Sequence, residues 1–138
     1  MSHLLDTSVI TRVSHGKPLV KEALKALKDS VGGANIARCA MTDLEYCFSA
    51  ENERQWDMRA KDLAVYGSVA VESTDFTTAL ELQRELARVG LAKRRALIIA
   101  AVAIRKELTL VHYDADFDHI AKVSHLKHQW IVAAGMVD

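Results

Sequence analysis

Four acidic residues fall just beyond segments that read as strands. Asp6 closes the run His3-Leu4-Leu5, Glu45 lies past Asn35–Ala40, and Asp114 and Asp116 follow Leu110-Val111-His112-Tyr113. Carboxylates gathered at one edge of a sheet repel one another. At ~4 Å, two like charges cost roughly 4 kcal/mol at an effective dielectric near 20. A fold that brings these groups together therefore calls for a cation, and oxygen donors suit a hard divalent metal. The chemistry open to such a site is metal-assisted attack by water.

A further position stands out for what it lacks. The segment from Ala96 to Glu107 reads Ala-Leu-Ile-Ile-Ala-Ala-Val-Ala-Ile, apolar on nearly every side, which predicts a central, buried helix. Its start carries three cations, Lys93-Arg94-Arg95, at the positive end of the helix dipole, and no Ser, Thr, Asp or Asn to cap it. Both choices are unfavourable, by about 0.3–1 kcal/mol per charge and about 1 kcal/mol for the absent cap. An acid at Ala96 would ease both and would point toward the carboxyl edge of the sheet.

The elements that must position these groups alternate. Strands are expected at His3–Asp6, Asn35–Ala40, Val69–Glu72, Thr109–His112 and Trp130–Val132. Helical stretches fill the intervals. Lys17–Val31 places Leu19, Val20, Ala23, Leu24 and Leu27 on one face, and Met41–Ala50 and Glu51–Tyr66 read as two consecutive helices. Thr74 is the expected cap of a helix running to Val89, which Gly90 ends. The pattern is that of an α/β chain: a three-layer α/β/α sandwich with a short-stranded, mostly parallel central sheet. In such sheets ligands bind at the carboxyl ends of the strands, where Asp6, Asp114 and Asp116 fall.

The bulk numbers narrow the classes. A chain of 138 residues, half of them apolar, suits one domain over residues 1–138 with one real core. Eighteen basic and eighteen acidic residues leave no net charge, which argues against wholesale electrostatic binding to nucleic acid but permits a local basic patch. No signal peptide or membrane-spanning run is apparent, and Cys39 and Cys47 have neither CxxC nor zinc-type spacing. These features fit buried thiols in a reducing cytosol, so a cytoplasmic protein is expected.

Leu4-Leu5-Asp6-Thr7-Ser8-Val9-Ile10, Thr42-Asp43-Leu44-Glu45, Ala96-Leu97-Ile98-Ile99-Ala100-Ala101 and His112-Tyr113-Asp114-Ala115-Asp116-Phe117-Asp118-His119-Ile120-Ala121 follow in that order. Together they resemble the PIN-domain ribonucleases, specifically the VapC-type toxins of bacterial toxin–antitoxin pairs, over essentially the whole chain. The resemblance implies a PIN-like fold and an endoribonuclease whose carboxylates hold Mg²⁺ or Mn²⁺. It matches Asp6, Glu45 and Asp114 to the first, second and fourth metal-binding acids, Asp116 to an auxiliary acid and Ser8 to a supporting hydroxyl. The third acid opens the family's motif Asp-Leu-Leu-Ile-Ala-Ala; here that catalytic position is Ala96, the spot already marked by its missing cap. Either an engineered replacement of Asp or natural degeneration accounts for it, and the codon at 96 in the source genome distinguishes them. The resemblance further implies a cognate antitoxin whose C-terminal segment covers the acidic groove with a basic residue, and a homodimer, with the stripes on Lys17–Val31 or Glu51–Tyr66 as its candidate contacts. Lys93, Arg94, Arg95 and Arg12 are the candidates to hold an RNA backbone, against a reading of the first three as a solvated loop.

Other patterns carry less. Asp114-x-Asp116-x-Asp118 imitates an EF-hand but has His119 in place of the required glycine and His125 in place of the required glutamate. His112, His119, His125 and His128 lack a zinc pattern and read as surface or packing groups. Neither GxGxxG nor GxxxxGK[ST] occurs, which disfavours dinucleotide or P-loop nucleotide binding. An aspartate-nucleophile phosphohydrolase would want a second Asp where Ser8 stands. Asp43 reads as a helix-surface acid, and Trp56 and Trp130 as core or interface residues. Two function classes remain: a metal-dependent endoribonuclease toxin, and a catalytically incompetent PIN-fold module acting through protein or RNA contacts. Ala96 is the feature that divides them.

Overall fold

The computed structural model describes residues 1–92 and 96–138. Along the chain, β1 (His3–Leu5) leads into α1 (Thr7–Ser14) and α2 (Pro18–Val31). Then β2 (Ile36–Cys39) is followed by α3 (Ala40–Cys47), α4 (Glu53–Ala64), β3 (Gly67–Val69) and α5 (Ser73–Arg88). Last come α6 (Leu97–Lys106), β4 (Thr109–His112), α7 (Asp116–Lys122) and β5 (His128–Trp130). Among the described residues the five strands form one sheet in the order β3-β2-β1-β4-β5, every pair parallel.

Parallel strands covered on both faces explain the apolar runs. Neighbours in sequence feed opposite cores: Leu4, Ala37 and Leu110 join one cluster with Leu86, Val102 and Phe117. Leu5, Ile36 and Val111 join the other with Val9, Val20 and Leu63. The period of two along each strand thus builds three layers, with α5, α6 and α7 on one side and α1, α2 and α4 on the other. In α6, Leu97 and every residue from Ile99 to Ala103 are buried, as an all-apolar helix requires. No helix among the described residues is long and apolar enough to cross a membrane.

Several expected boundaries move. The third strand is Gly67–Val69 rather than Val69–Glu72, because Glu72 leaves the sheet to cap α5. Its side chain accepts from the Asp75 backbone, while its own N–H donates to Asp75 Oδ2 at 2.8 Å. That reciprocal pair displaces Thr74 as the cap. The last strand is His128–Trp130 rather than Trp130–Val132, fixed by the pairing of Leu110 with His128 and His112 with Trp130. The helix expected over Met41–Ala50 spans Ala40–Cys47, and the one over Glu51–Tyr66 spans Glu53–Ala64 after an Asn52 cap. Leu19 and Trp56 are exposed, which removes the core alternative for both and leaves the interface one. The short helices α1 and α7 were not anticipated, and both carry the site.

Candidate active site

Asp6 ends β1 in an extended conformation (φ −79°, ψ 156°) and caps α1. Its Oδ2 accepts from the Ser8 N–H at 3.1 Å and from the Ser8 hydroxyl at 2.5 Å. A helix start leaves backbone donors unsatisfied, and a carboxylate meets that need while gaining from the dipole. The Ser8 hydroxyl oxygen also accepts from the Tyr113 N–H at 2.9 Å, one residue past β4. A single hydroxyl therefore ties the ends of two adjacent strands together beneath Asp6 and Asp114.

Asp114 is turned by its own local bonds. Its N–H donates to His112 Nδ1 at 3.2 Å, and its Oδ1 accepts from the Asp116 N–H at 2.9 Å, opening α7. His112 is fully buried. Burial, with His128 adjoining, lowers its pKa to about 4, so the ring is neutral and carries its proton on Nε2. Glu45 reaches the group from α3, where its Oε1 accepts from the Thr7 hydroxyl at 3.2 Å. Buried Thr42 anchors that helix by donating to the Leu5 carbonyl at 3.3 Å.

The electrostatics record the crowding. Asp6 is 6% exposed, and burial pushes its carboxyl up; Asp114 pushes the same way, and the bonds from Ser8 only partly oppose them. Glu45 stands on an exposed stretch of α3, yet desolvation of its carboxylate, then Asp6 and then Asp114, raise it too. Among the described residues, no cation figures among the groups that act on Asp6 and Glu45. An all-oxygen, desolvated, mutually repelling set fits a hard divalent ion. Mg²⁺, which keeps several of its waters and needs few carboxylates, suits such a sheet edge.

Asp116 is the first residue of α7, half-buried beside Asp114. Ala96 precedes α6 with no side-chain cap. Since α6 enters β4 through Glu107 and Leu108, it runs back along the strands. Ten helical residues rise about 15 Å and four strand residues about 13 Å, so Ala96 stands level with the carboxyl edge that carries Asp6 and Asp114. Arg12 lies on α1 with its guanidinium engaged: Nη1 donates to the Ser8 carbonyl and Nε to the Asp138 carbonyl, each at 3.0 Å, over the Tyr113 ring. Lys93, Arg94 and Arg95 lie outside the described residues. Asp43 is not a freely solvated acid: Oδ2 accepts from Arg38 at 2.8 Å, while Oδ1 is buried with no hydrogen-bond partner among the described residues. It lines a cavity of about 350 Å³ with Leu44, Cys47, Phe48 and Trp56, and Leu44 and Phe48 continue that surface to Glu45.

Comparison with known proteins gives this edge a lineage. Residues 3–123 match the PIN domain. The chain belongs to the PIN-domain family. Within it the protein is a VapC-type PIN domain: it is 40% identical to ribonuclease VapC51 of Mycobacterium tuberculosis over 100% of this chain and 98% of the relative. The fold of this PIN domain is shared with DNA-bound VapBC from Salmonella typhimurium, at a TM-score of 0.75 and 16% identity, covering 96% of this chain and 99% of that one. A toxin–antitoxin complex from Klebsiella pneumoniae matches at a TM-score of 0.65 and 21% identity, over 83% and 88% of the two chains.

Sequence reasoning missed Thr7, Thr42, Tyr113 and His112 as supports of the acids. Thr7, Thr42 and Tyr113 act across elements, where local spacing says nothing, whereas His112 acts on the Asp114 N–H two residues away and is held there by the burial that the fold imposes.

Proposed function

We propose that the protein is the toxin of a toxin–antitoxin module, a metal-dependent endoribonuclease by design whose own activity is crippled by Ala96. The observation that carries this reading is the convergence of Asp6, Glu45 and Asp114 at the carboxyl edge of the sheet, where burial and the neighbouring carboxylates push the carboxyls of Asp6 and Glu45 up. The ribonuclease relative supports RNA as the substrate class.

Asp6 is the central ligand, held by Ser8; Glu45 and Asp114 flank it, and Asp116 lies within the same turn. Bound there, Mg²⁺ or Mn²⁺ supplies hydroxide from water at neutral pH and neutralises charge on the phosphate. Lys93, Arg94 and Arg95 adjoin Ala96 in sequence and hold the RNA backbone; Arg12 contributes once its contact with Asp138 opens. Loss of even an outer-shell group costs roughly 10–100-fold, so the loss of a ligand at Ala96 costs at least that. The cognate antitoxin binds the cleft beside Glu45, where exposed Leu44, Phe48 and Trp56 offer apolar anchors and the acids receive its basic residue. The reading includes a homodimer working in the cytosol.

The uncapped start of α6 favours one second reading, a PIN module that binds RNA or protein without cleaving it. Ala96→Asp separates the two. Total RNA incubated with each version, with Mg²⁺ or Mn²⁺ and with EDTA, should yield discrete EDTA-sensitive fragments from the aspartate version alone. No fragments, together with no metal binding by calorimetry in either version, refutes the nuclease reading.

A further inference from the structure

A second set of metal-competent side chains assembles from three elements that lie apart in sequence. His112 ends β4, His128 begins β5, and Asp118 sits on α7. His128 is the register partner of Leu110, and the strand period of two then turns His112 and His128 to the same face of the sheet. Their rings lie edge to edge, with centroids 5.1 Å apart, planes within 20°, and His112 Nε2 2.8 Å from His128 Nδ1. Asp118 Oδ1 stands 3.8 Å from the same His128 nitrogen and is steadied by the Trp130 indole N–H at 3.1 Å.

We propose that His112 Nε2, His128 Nδ1 and Asp118 Oδ1 form a zinc site, distinct from the acidic trio, with water as the fourth ligand. Two imidazoles and a carboxylate select Zn²⁺ over Mg²⁺ or Mn²⁺, which prefer all-oxygen shells. The spacing suits it. Two imidazoles on one tetrahedral Zn²⁺, at bonds of 2.0–2.1 Å, hold their nitrogens about 3.3 Å and their ring centroids about 5.2 Å apart. The centroids already have that separation, so the rings have only to pivot about them. The pivot opens the nitrogen pair from 2.8 Å while Asp118 closes from 3.8 Å.

A plain hydrogen-bonded histidine pair leaves Asp118 unexplained. The Asp114 N–H donates to His112 Nδ1, which puts the His112 proton on Nε2, directed at His128 Nδ1. A histidine pair joined by one such bond needs no anion, yet a carboxylate braced by an indole is aimed at it. A donor bracing a ligating carboxylate is the usual outer shell of a zinc site. Phe117 packs 4.7 Å from the buried His112 ring and forms an apolar floor, while partly exposed Asp118 and His128 leave a way in from solvent.

Metal binding also changes which nitrogen of His112 is protonated. With Nε2 on zinc, the proton moves to Nδ1 and faces the Asp114 N–H, donor against donor. Zinc and that hydrogen bond exclude one another, which provides a spectroscopic signature at a named atom.

The test uses the full chain stripped with EDTA and returned to excess Mg²⁺, which occupies oxygen-rich sites. Zinc is titrated against a chromophoric chelator, and the histidine rings are followed by ¹⁵N-edited NMR. The expected result is one tight equivalent, shifts of the His112 and His128 rings, and transfer of the His112 proton from Nε2 to Nδ1. Asp118→Asn, which keeps an oxygen for Trp130, and His128→Gln should each weaken zinc at least tenfold, while Asp6→Asn leaves it unchanged. Both altered side chains are partly exposed, so wild-type melting in EDTA is expected, and if one variant melts early the other decides. Zinc affinity that survives both substitutions, that vanishes with Asp6→Asn, or that leaves the His112 proton on Nε2 overturns the proposal.

Discussion

Ser8→Ala removes one hydroxyl and two hydrogen bonds. The bond to Asp6 Oδ2 is short, 2.5 Å, and a bond of this kind to a carboxylate is worth about 1.5–3 kcal/mol. The bond from the Tyr113 N–H at 2.9 Å is of the neutral type, worth about 0.5–1.5 kcal/mol. With the partial compensation expected of neighbouring bonds, the substitution should cost about 2–4 kcal/mol, a large share of the roughly 5–15 kcal/mol that holds a domain folded. At roughly 3–4 °C per kcal/mol for a chain of this size, the melting temperature should fall by about 10 °C. The pH dependence has a definite sign. Burial raises Asp6 above its unfolded value, so ionised Asp6 opposes folding at neutral pH, and that penalty is relieved as pH falls through its folded pKa. The Ser8 bonds hold the pKa down, so removing them deepens the penalty at neutral pH and matters less in acid. Urea unfolding in EDTA across pH 4–8 should therefore give a loss that grows with pH, and Mn²⁺ calorimetry should give affinity lower by roughly 10–100-fold. A loss below about 0.5 kcal/mol that is flat with pH, with unchanged Mn²⁺ affinity, would refute the idea that Ser8 holds the acidic edge together.

Three other outcomes follow from the same structure. Asp6→Asn should melt higher than wild type in EDTA, by about 1 kcal/mol, and lose the stabilisation that Mn²⁺ gives the parent; differential scanning fluorimetry reads both. Arg105→Ala strands Asp75, which is 1% exposed and otherwise takes Nε at 2.9 Å and Nη2 at 3.0 Å, so guanidinium unfolding should register a loss of about 3–5 kcal/mol. Although burial pushes Asp75 up, the Arg105 bonds outweigh it and lower its pKa, so this contribution should fade as pH falls through the acid range. Phe48→Glu, at a side chain 88% exposed, should leave melting unchanged and weaken binding of the cognate antitoxin at least tenfold by calorimetry.

The sequence by itself determined the alternation of strand and helix, the two-faced burial of the central strands and the residues of the carboxyl edge. All three are local or periodic properties: Leu4-Leu5 and Leu110-Val111 are apolar in sequence because both faces of a parallel strand are covered. The all-apolar run after Ala96 is the same kind of signal, and so is its missing cap. Edge strands were less legible, because Gly67-Ser68 and His128-Gln129 are polar segments recruited by the pairing of their neighbours rather than by their own pattern. The short helices α1 and α7 escaped because each spans about two turns and owes its start to a carboxylate, Asp6 or Asp114, already accounted for as a ligand.

Only the tertiary structure decided which groups act on one another. Ser8 meets Tyr113 across 105 residues and Thr7 meets Glu45 across 38. His112, Asp118 and His128 converge from three elements with no spacing rule among them. A side chain's type and its helical or strand phase are written locally, but the energy of a hydrogen bond or a shared ion falls off within a few ångströms. Only the closed sheet brings distant residues inside that range.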